Sequence, residues 1–429
     1  MPAFRLIGGA PLRGDILASG NKNAALPALA ASLLTDRPVW IRNLPRIGDV
    51  ETLLELLGQM GVRFAWQGQF DVRLDAADLG DLAADSPLCR QVRGSVLLAA
   101  PLLARRGAVD LPLPGGDKIG RRRLDTHLIA LEALGARVEA RAGAIRIQTP
   151  PGGLRGADIL LDEASVTATE NAAMAAALAK GDTIIRNAAC EPHVQDLCRV
   201  LNRMGADIAG IGTNELRIRG VDRLGGADST LSADYIEVAS FLALAAATGG
   251  DVTVRRANPE HLRMILHQFA RLGIEASICG GDVRVRVERG ALRVREDFQG
   301  KVPTIASSPW PAFPADLTSV ALVAATQADG AVMIHEKMFE SRLFFVDQLL
   351  DMGARVVLCD PHRAVVNGPS PLYGARMTSP DIRAGMALLI AALAADGESR
   401  IDNIAQIDRG YERIDERLRA LGARIERVE

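Results

Sequence analysis

The chain repeats one pattern of apolar and polar positions six times. In each copy an amphipathic stretch is followed by Leu-Gly or Met-Gly and then by an alternation of apolar and polar residues, as in "HLRMILHQFARLGIEASI". A glycine directly after an amphipathic face favours a left-handed helix C-cap, and the alternation after it predicts a strand. Each copy is therefore predicted to end as helix, glycine and strand. The glycines are Gly61, Gly135, Gly205, Gly273, Gly353 and Gly422.

A second helix and a short strand are predicted upstream of each amphipathic stretch. Examples are "NAALPALAASLLTDRPVWIRN" and "MALLIAALAADGESRIDN", in which the helical part is apolar at nearly every position. A helix that is apolar all round belongs in a protein core. The pattern therefore predicts an α/β chain of six β-α-β-α-β-β units, with the apolar helices buried and the amphipathic helices covering the sheets from outside.

The beginning of the chain completes its end. The N-terminal "FRLIGGAPLRGDILASG" matches "IRIQTPPGGLRGADILLDEAS", the tail of the second unit, whereas the last unit stops at "ARIERVE". We therefore expect the N-terminal segment to supply the strand that the last unit lacks. Two domains of three units each follow, one of residues 22–232 and a discontinuous one of residues 1–21 and 233–429.

Composition narrows the class of protein. With 48% hydrophobic and 24% charged residues, the 429-residue chain is typical of a globular protein of two or three domains. Its formal net charge of -2 gives no basic field that would attract nucleic acid or anionic lipid. No apolar run approaches the ~20 residues of a membrane span, and the N-terminus does not resemble a signal peptide. We expect a cytoplasmic monomer without nucleic-acid or membrane partners.

The five cysteines predict neither disulfides nor a metal site. They are scattered without a CxxC motif or a zinc-like pairing with histidine, which in a long intracellular chain indicates reduced, mostly buried thiols. The cysteines are Cys89, Cys190, Cys198, Cys279 and Cys359.

The starts of the six predicted buried helices carry polar or charged residues. Capping of the helix accounts for the hydroxyl and carboxyl side chains among them. It does not account for Lys22 and Arg93, whose positive charge is opposed by the helix dipole, whereas an anionic ligand would favour both. An anion site is therefore predicted where these ends converge, and a repeat array that only binds partners becomes less favoured. The residues are Lys22, Arg93, Ser165, Asp234, Asp316 and Arg383.

Several segments resemble those of one enzyme family, the UDP-N-acetylglucosamine enolpyruvyl transferases. The segments are "SGNKNAALPALAASLL", "LPGGDKIGRRRLD", "PAFPADL", "MFESR" and "IDRGYERIDERLRALGARIERV", and they occur in the family's order from end to end. The resemblance implies a two-domain inside-out α/β barrel with three repeats per domain and pseudo-threefold symmetry. It also implies transfer of the enolpyruvyl group of phosphoenolpyruvate to the 3-hydroxyl of UDP-N-acetylglucosamine, with release of phosphate and without a metal or an organic cofactor.

The resemblance also assigns roles to residues. Asp316 contacts the sugar hydroxyl and is the candidate base, because attack by an alcohol needs a base near its proton. Lys22, Arg122 and Arg409 hold the phosphate and carboxylate of phosphoenolpyruvate, and further basic residues complete a wall of positive charge. The remaining implied contacts are Arg93 and Arg383 in the basic wall, Asn23 and the Met338 backbone at the sugar, Ser165 and Val166 along the diphosphate, and Arg122, Arg123, Leu124 and Asp125, with His127 nearby, at the uridine.

The loop "LPGGDKIGRRRLD" corresponds to the family's mobile lid, in which most members carry a cysteine where this chain has Asp117. A lid closes over the substrate and excludes water, and Gly115, Gly116 and Gly120 supply the backbone freedom that closure needs. The epoxide antibiotic fosfomycin inhibits the family by alkylating the lid cysteine. Asp117 is therefore expected to act as proton donor or in product release, and the chain is expected to resist fosfomycin.

Three departures from the family pattern concern the acceptor. Glu163 stands where a lysine is frequent near the diphosphate, and Thr167 stands where a glycine is common. Arg123 replaces the usual proline beside the uridine and is a candidate to restore the missing charge. An enolpyruvyl transferase acting on another nucleotide or nucleotide sugar therefore stays open as an alternative. A silent nucleotide-sugar sensor is a further alternative, although the full charged set is present.

Overall fold

The computed structural model describes residues 2–83, 85–117 and 119–429, so that Lys118 of the predicted lid lies outside the described residues. The chain divides into two compact units. The first unit comprises Gly20–Gly116 and Arg122–Ser232, and the second unit comprises Met1–Ser19, Asp117–Arg121 and Ala233–Glu429.

The strands are short and are distributed along the whole chain. They are β1 Ala3–Ile7, β2 Arg13–Leu17, β3 Val39–Arg42, β4 Arg63–Gln67, β5 Asp71–Asp75, β6 Ala108–Pro112, β7 Arg137–Arg141, β8 Ala144–Gln148, β9 Asp158–Leu160, β10 Asp182–Arg186, β11 Asp207–Ala209, β12 Glu215–Arg219, β13 Ala227–Thr230, β14 Asp251–Arg255, β15 Ala276–Cys279, β16 Asp282–Arg286, β17 Thr304–Ala306, β18 Gly330–His335, β19 Val356–Asp360, β20 Arg363–Gly368, β21 Arg376–Thr378, β22 Glu398–Asp402 and β23 Arg424–Val428.

Helices alternate with these strands. The α-helices are α1 Lys22–Ala31, α2 Gly48–Gln59, α3 Ala99–Arg106, α4 Asp125–Ala133, α5 Val166–Ala177, α6 Pro192–Arg203, α7 Tyr235–Thr248, α8 Arg263–Ala270, α9 Thr318–Ala325, α10 Val346–Asp351, α11 Ile382–Ala394, α12 Ala405–Asp408 and α13 Ile414–Ala420. Short 3-10 helices span Ser32–Leu34, Pro87–Arg90, Arg93–Leu98, Pro259–Leu262 and Ala315–Leu317. No helix in the described ranges is long and apolar enough to cross a membrane.

Each unit contains three small sheets. The first unit has the strand orders β13-β3-β5-β4, β6-β8-β7 and β11-β12-β10-β9, and the second unit has β15-β16-β14-β2, β17-β18-β20-β19 and β21-β22-β1-β23. Most neighbouring strands are antiparallel, but an edge strand pairs in parallel with a central one, as β9 does with β10. The predicted α/β architecture of six repeats is therefore confirmed.

The N-terminal strand closes the last sheet, as the sequence predicted. β1 lies between β22 and β23 and is antiparallel to both, with Phe4 opposite Ile401 on one side and Arg427 on the other. β2 then pairs in parallel with β14 of the neighbouring sheet. The first residues of the chain thus belong to the same unit as the last.

The apolar helices form the core of each unit. Every residue of α7 and of α11 is buried. In the second unit α7, α9 and α11 contact one another, and each also packs against the central strands of a different sheet. This arrangement buries the helices on all sides, which explains why their sequences lack a polar face.

The repeated glycines end the amphipathic segments as predicted. All six have positive φ angles, between 75° and 102°. This left-handed region is costly for residues with a Cβ atom, so glycine is favoured where the chain reverses into the next strand. The glycines are Gly61, Gly135, Gly205, Gly273, Gly353 and Gly422.

The amphipathic helices of the first unit contact both core helices and strands. α4 and α6 pack against the buried helix α5, and they also contact edge strands, α4 at β7 and β9 and α6 at β11 and β13. Alternate residues of the strands are exposed, as in β12, where Arg217 and Arg219 face solvent.

The predicted lid is divided between the units. The sequence placed the whole loop in the domain of residues 22–232, whereas Asp117–Arg121 group with the second unit. Side-chain and backbone contacts to this second unit, described below, account for the difference.

Candidate functional site

Asp117 forms an ion pair with Arg409 in the second unit. Oδ1 of Asp117 lies 2.6 Å from Nη1 of Arg409, and the same nitrogen donates to the side-chain oxygen of Gln406. Only 14% of the Asp117 side chain and 19% of the Arg409 side chain are exposed. The pair therefore fixes the Asp117 carboxyl group within the second unit.

The residues after Asp117 are also held in place. The backbone N–H of Arg121 donates to Oε1 of Glu340 over 3.0 Å, and this hydrogen bond lowers the pKa of Glu340. The N–H of Ser341 donates to the carbonyl of Ile119. Gly120 has a φ of 132°, and a Cβ atom there would lie 2.4 Å from a carboxylate oxygen of Glu340. The close approach at this point thus requires glycine.

Asp316 is held between two buried arginines. Its Oδ1 accepts a hydrogen bond from Nη2 of Arg342 over 2.9 Å, and its Oδ2 accepts one from Nε of Arg383 over 3.2 Å. The Asp316 side chain keeps 28% of its surface exposed, whereas those of Arg342 and Arg383 are 1% and 4% exposed. The arginines therefore orient a carboxylate that is still accessible to a ligand.

The two arginines have further partners on α11 and beyond. Nη1 of Arg383 donates to the hydroxyl of Tyr411. Burial opposes the charge of Arg383, but the Asp316 carboxylate and Tyr411 outweigh it and raise its pKa. Asp381 caps α11 by accepting from the N–H groups of Arg383 and Ala384, and its Oδ1 lies 3.6 Å from Nη1 of Arg342. Burial raises the pKa of Asp381, and Arg342 acts in the opposite direction.

Lys22 of the first unit is the first residue of α1, which Asn21 caps by accepting from two backbone N–H groups. The Lys22 ammonium lies 2.9 Å from Oδ2 of Asp49, and both side chains are largely buried. Asn23 follows on the same turn and is half-buried. The unfavourable position of Lys22 at a helix start is therefore offset in part by a carboxylate of α2.

Arg93 starts a 3-10 helix and not the predicted α-helix, so an α-helix dipole does not oppose its charge directly. Its guanidinium donates to the carbonyl of Arg122 over 2.9 Å and to that of Arg123 over 3.3 Å. Burial and the neighbouring Arg122 charge lower the pKa of Arg93 to about 10. The Arg93 side chain stays charged at neutral pH and, through these two hydrogen bonds, fixes the backbone of Arg122 and Arg123, where the lid ends.

Arg123 is paired with carboxylates. Nη2 lies 2.9 Å from Oδ2 of Asp162, and Nε lies 3.2 Å from Oδ2 of Asp125. Thr126 donates to the other oxygen of Asp162. Leu124 precedes α4, of which Asp125 is the first residue. Two carboxylates thus flank the Arg123 guanidinium.

Ser165 and Val166 form the start of α5. Ser165 is the N-cap and accepts from the N–H of Ala168, and both residues are half-buried. The first N–H groups of a helix have no partner within it. Capping was predicted for Ser165, Asp234 and Asp316; it is confirmed for the first two, whereas Asp316 lies within a 3-10 turn and its carboxylate binds arginines.

Met338 is 39% exposed. Its backbone N–H donates to Oε1 of Glu336, a buried carboxylate that also accepts from the hydroxyl of Thr318. The backbone carbonyl is therefore the main-chain group of Met338 that fits a role in ligand binding.

Each unit thus gathers its own part of the predicted site. In the second unit Asp117 and Arg409 are paired, and Asp316 and Arg383 are paired. In the first unit Arg93, Arg122 and Arg123 are connected through the carbonyls of the loop. Arg342, Asp381 and Asp49 were not predicted as site residues from the sequence. The signals for the first two were the motif "MFESR" and the Asp before the arginine in "SPDIRAGM".

The potential metal ligands and the thiols lie apart from one another in the described part of the chain. No cluster of three or more potential metal ligands is present there. All five cysteines are free, and Cys89 and Cys198 are buried. Cys279 and Cys359 are exposed, so the expectation of mostly buried thiols is only partly met, because these two lie on edge strands.

Known proteins similar to this chain share its full length. Residues 6–418 match the family described as EPSP synthase (3-phosphoshikimate 1-carboxyvinyltransferase). A UDP-N-acetylglucosamine 1-carboxyvinyltransferase of Bradyrhizobium diazoefficiens is 55% identical over 98% of this chain and 97% of its own. Proteins of the same name from Borreliella burgdorferi and Treponema pallidum are 50% and 51% identical, over 100% and 99% of this chain and 99% of each relative.

Solved structures give the same result for the fold. The enolpyruvyl transferase NikO from Streptomyces tendae has a TM-score of 0.87 at 25% identity and covers 100% of this chain and 99% of its own. An EPSP synthase from Acinetobacter baumannii has a TM-score of 0.74 at 19% identity over the full length of both chains and shows the fold alone. The chain belongs to the EPSP synthase family of carboxyvinyltransferases and, within it, to the UDP-N-acetylglucosamine 1-carboxyvinyltransferases.

Proposed function

We propose that the protein transfers the enolpyruvyl group of phosphoenolpyruvate to the 3-hydroxyl of UDP-N-acetylglucosamine and releases phosphate, the first committed step of peptidoglycan synthesis. The observation that carries the proposal is the Asp316 carboxylate, oriented by two buried arginines and still exposed. The relatives that carry this activity in their names support the choice of acceptor.

The reaction is an addition followed by an elimination. The sugar oxygen bonds to C2 of phosphoenolpyruvate while a proton is added to C3, and phosphate then leaves C2 while C3 loses a proton. Asp316 accepts the proton of the attacking hydroxyl, since a carboxylate within reach of that proton is the base the first step needs. Arg342 and Arg383 position this carboxylate through its two oxygens.

The charge of phosphoenolpyruvate calls for several fixed cations. We propose that its phosphate and carboxylate groups are held by Lys22, Arg122 and Arg409, and that Arg93 and Arg383 add further positive charge. Several of them are already held by hydrogen bonds or ion pairs. A preorganised cation loses less conformational entropy on binding than a mobile one.

Further residues are proposed to contact the acceptor. Asn23 and the Met338 carbonyl bind the sugar and its acetamido group, and Ser165 and Val166 lie along the diphosphate. The segment from Arg122 to Asp125 lines the uridine. Asp117 serves as proton donor or in product release, and binding of an anion to Arg409 competes with the ion pair that now holds Asp117.

The proposal is tested by phosphate release from phosphoenolpyruvate and UDP-N-acetylglucosamine. We expect turnover by the purified protein, and at least a ~100-fold loss in Asp316→Asn, which keeps the shape of the side chain but removes the base. Parallel assays with shikimate 3-phosphate and with UMP replace the acceptor. Absence of phosphate release with UDP-N-acetylglucosamine, together with release from one of the other acceptors, would contradict the proposal.

We further propose that the enzyme works as a cytoplasmic monomer. The residues proposed for both substrates belong to a single chain, and both substrates are small, soluble anions. Analytical ultracentrifugation at working concentration checks the oligomeric state.

A further inference from the structure

A polar network connects the core of the first unit to the start of α5. His127 is 2% exposed, and both of its ring nitrogens have partners. Nδ1 lies 2.9 Å from Nδ2 of Asn171, and Nε2 lies 3.0 Å from Oγ1 of Thr167. The assigned roles in catalysis and binding use neither Thr167 nor Asn171, although the network lies directly beside Ser165 and Val166.

The backbone around Asn171 decides which atoms donate. The N–H of Ala100 donates to Oδ1 of Asn171, and Nδ2 of Asn171 donates to the carbonyl of Val96. The amide is thereby fixed, and its nitrogen also faces Nδ1 of His127, which must accept. Nε2 of the neutral imidazole then carries the proton and donates it to Thr167.

The imidazole is neutral at the pH at which enzymes work. Burial, with a smaller contribution from the charge of Arg93, lowers the pKa of His127 to about 3. The tautomer that donates to Thr167 is therefore the resting state of the ring, and no proton needs to be taken up to maintain it.

This arrangement gives the Thr167 hydroxyl a defined polarity. Because its oxygen accepts from His127, its own proton is left to donate elsewhere. No second hydrogen bond of this hydroxyl is present among residues 2–83, 85–117 and 119–429. Thr167 is half-buried and is the second residue of α5. The hydroxyl and the first N–H groups of the helix are therefore neutral donors at one end of the helix.

We infer that Thr167, held by His127 as a hydrogen-bond donor, binds a non-bridging oxygen of the nucleotide diphosphate and sets the affinity for the acceptor substrate. The inference rests on the proposed function, which places the diphosphate at Ser165 and Val166. Glu163 contributes no positive charge at this segment, and Arg123 is balanced by Asp125 and Asp162. The charge of Arg93 also reaches this network, since it contributes to the lowered pKa of His127. An anion at this end of α5 would therefore meet a neutral hydroxyl donor in a positive environment. His127 is a positioning residue, because it acts through Thr167.

The first test compares Thr167→Val, which removes the hydroxyl at nearly constant volume, with Thr167→Ser, which retains it. A hydrogen bond to a charged oxygen is worth about tenfold or more in affinity. We expect Thr167→Val to raise the KM for UDP-N-acetylglucosamine and the inhibition constant of UDP by about that factor. The kcat, the KM for phosphoenolpyruvate and the inhibition constant of uridine stay within about twofold, and Thr167→Ser behaves like the wild type.

A matched control is Thr183→Val in the same unit. The Thr183 hydroxyl is buried without a hydrogen-bond partner among the described residues, and it lies on β10. Loss of the hydroxyl in Thr183→Val is expected to leave every kinetic constant unchanged. The comparison therefore separates loss of the contact to the diphosphate from a general effect of a Thr→Val substitution on the first unit.

The role of His127 is tested by a double-mutant cycle with His127→Gln. If His127 acts through Thr167, its substitution raises the KM for UDP-N-acetylglucosamine in the wild type and adds nothing in Thr167→Val. Additive effects of the two substitutions would overturn the positioning role.

The outcomes separate this inference from the proposed function. Turnover of UDP-N-acetylglucosamine with an unchanged KM in Thr167→Val overturns the inference and leaves the function intact. If the wild type does not turn over UDP-N-acetylglucosamine, the proposed function is contradicted. If UDP then binds more weakly to Thr167→Val than to the wild type, and equally well to Thr183→Val, the inference is still supported.

Discussion

Oδ1 of Asp117 lies 2.6 Å from Nη1 of Arg409, although the two residues are 292 positions apart in the chain. The pair connects the residue that the resemblance places at the position of the lid cysteine with a residue proposed to bind phosphoenolpyruvate. An incoming anion and the Asp117 carboxylate therefore compete for one guanidinium. Release of Asp117 from Arg409 on substrate binding would free the carboxyl group for proton transfer.

Removal of the Asp117 carboxyl group is expected to impair turnover. Asp117→Ala should lower kcat by about 100-fold or more if the residue transfers a proton. Asp117→Cys should retain activity, because a thiol is what the resembling family carries at this position. Steady-state phosphate release measures both. Equal loss of activity in the alanine and cysteine variants would contradict the assignment of Asp117 to the reactive position of the lid.

Wild-type enzyme is expected to resist fosfomycin, and Asp117→Cys to become sensitive. A thiolate opens an epoxide readily, whereas a carboxylate paired with arginine is a far weaker nucleophile. Time-dependent inactivation followed by intact mass measures the adduct. The exposed Cys279 and Cys359 provide an internal control, since alkylation there should leave activity unchanged. Rapid inactivation of the wild type with one adduct on Asp117 would overturn this prediction.

Glu170→Gln is expected to stabilise the protein at neutral pH. Glu170 is 1% exposed, and burial, with a smaller contribution from Glu191, raises its pKa well above the ordinary value. The unfolded chain releases the proton above pH ~4.5 while the folded chain retains it, so the free energy of unfolding falls as the pH rises from there. Glutamine removes this dependence.

Urea unfolding at two pH values measures the effect of Glu170→Gln. We expect a gain on the order of 1 kcal/mol at pH 7.5, the size of a typical buried polar change, and almost none near pH 4.5. Glu132→Gln, at an exposed position of α4 in the same unit, is the matched control and should give no gain at either pH. A loss of stability in Glu170→Gln at pH 7.5 would show that the carboxyl group has a charged role.

His127 should make the first unit sensitive to acid. Its pKa of about 3 lies below the ordinary value of 6.5 because of burial, so the unfolded chain takes up a proton that the folded chain does not. The free energy of unfolding is therefore nearly constant above pH 6.5 and falls as the pH drops below that value. Between pH 7.5 and 5.5 the expected loss is about 1 kcal/mol, relative to His127→Gln. His267→Gln, at an exposed site on α8, should not change the pH dependence of urea unfolding.

The sequence alone determined the repeating architecture. The repeated order of apolar helix, amphipathic helix and strand can be read locally, because the spacing of the hydrophobic positions determines which face of each element is buried. The six Leu-Gly and Met-Gly steps gave the helix ends, and all six glycines have positive φ. The similarity of the N-terminal segment to the tail of the second sequence repeat likewise predicted that β1 completes the last sheet.

The sequence also supplied the candidate residues of the site, through its resemblance to a family. The roles of Asp117, Asp316 and the basic residues stay predictions that the experiments above address. The resemblance could not show how each side chain is held, because the partners of a charged residue are decided by folding and not by neighbouring positions.

Only the tertiary structure decided the pairings. Arg342 reaches Asp316 across 26 positions and Asp117 reaches Arg409 across 292, and no local pattern encodes such separations. The grouping of residues 117–121 with the second unit depends in the same way on which surfaces compete for contact. Hydrophobic periodicity specifies that a face is buried, but the partner that buries it is chosen by the packing of the whole chain.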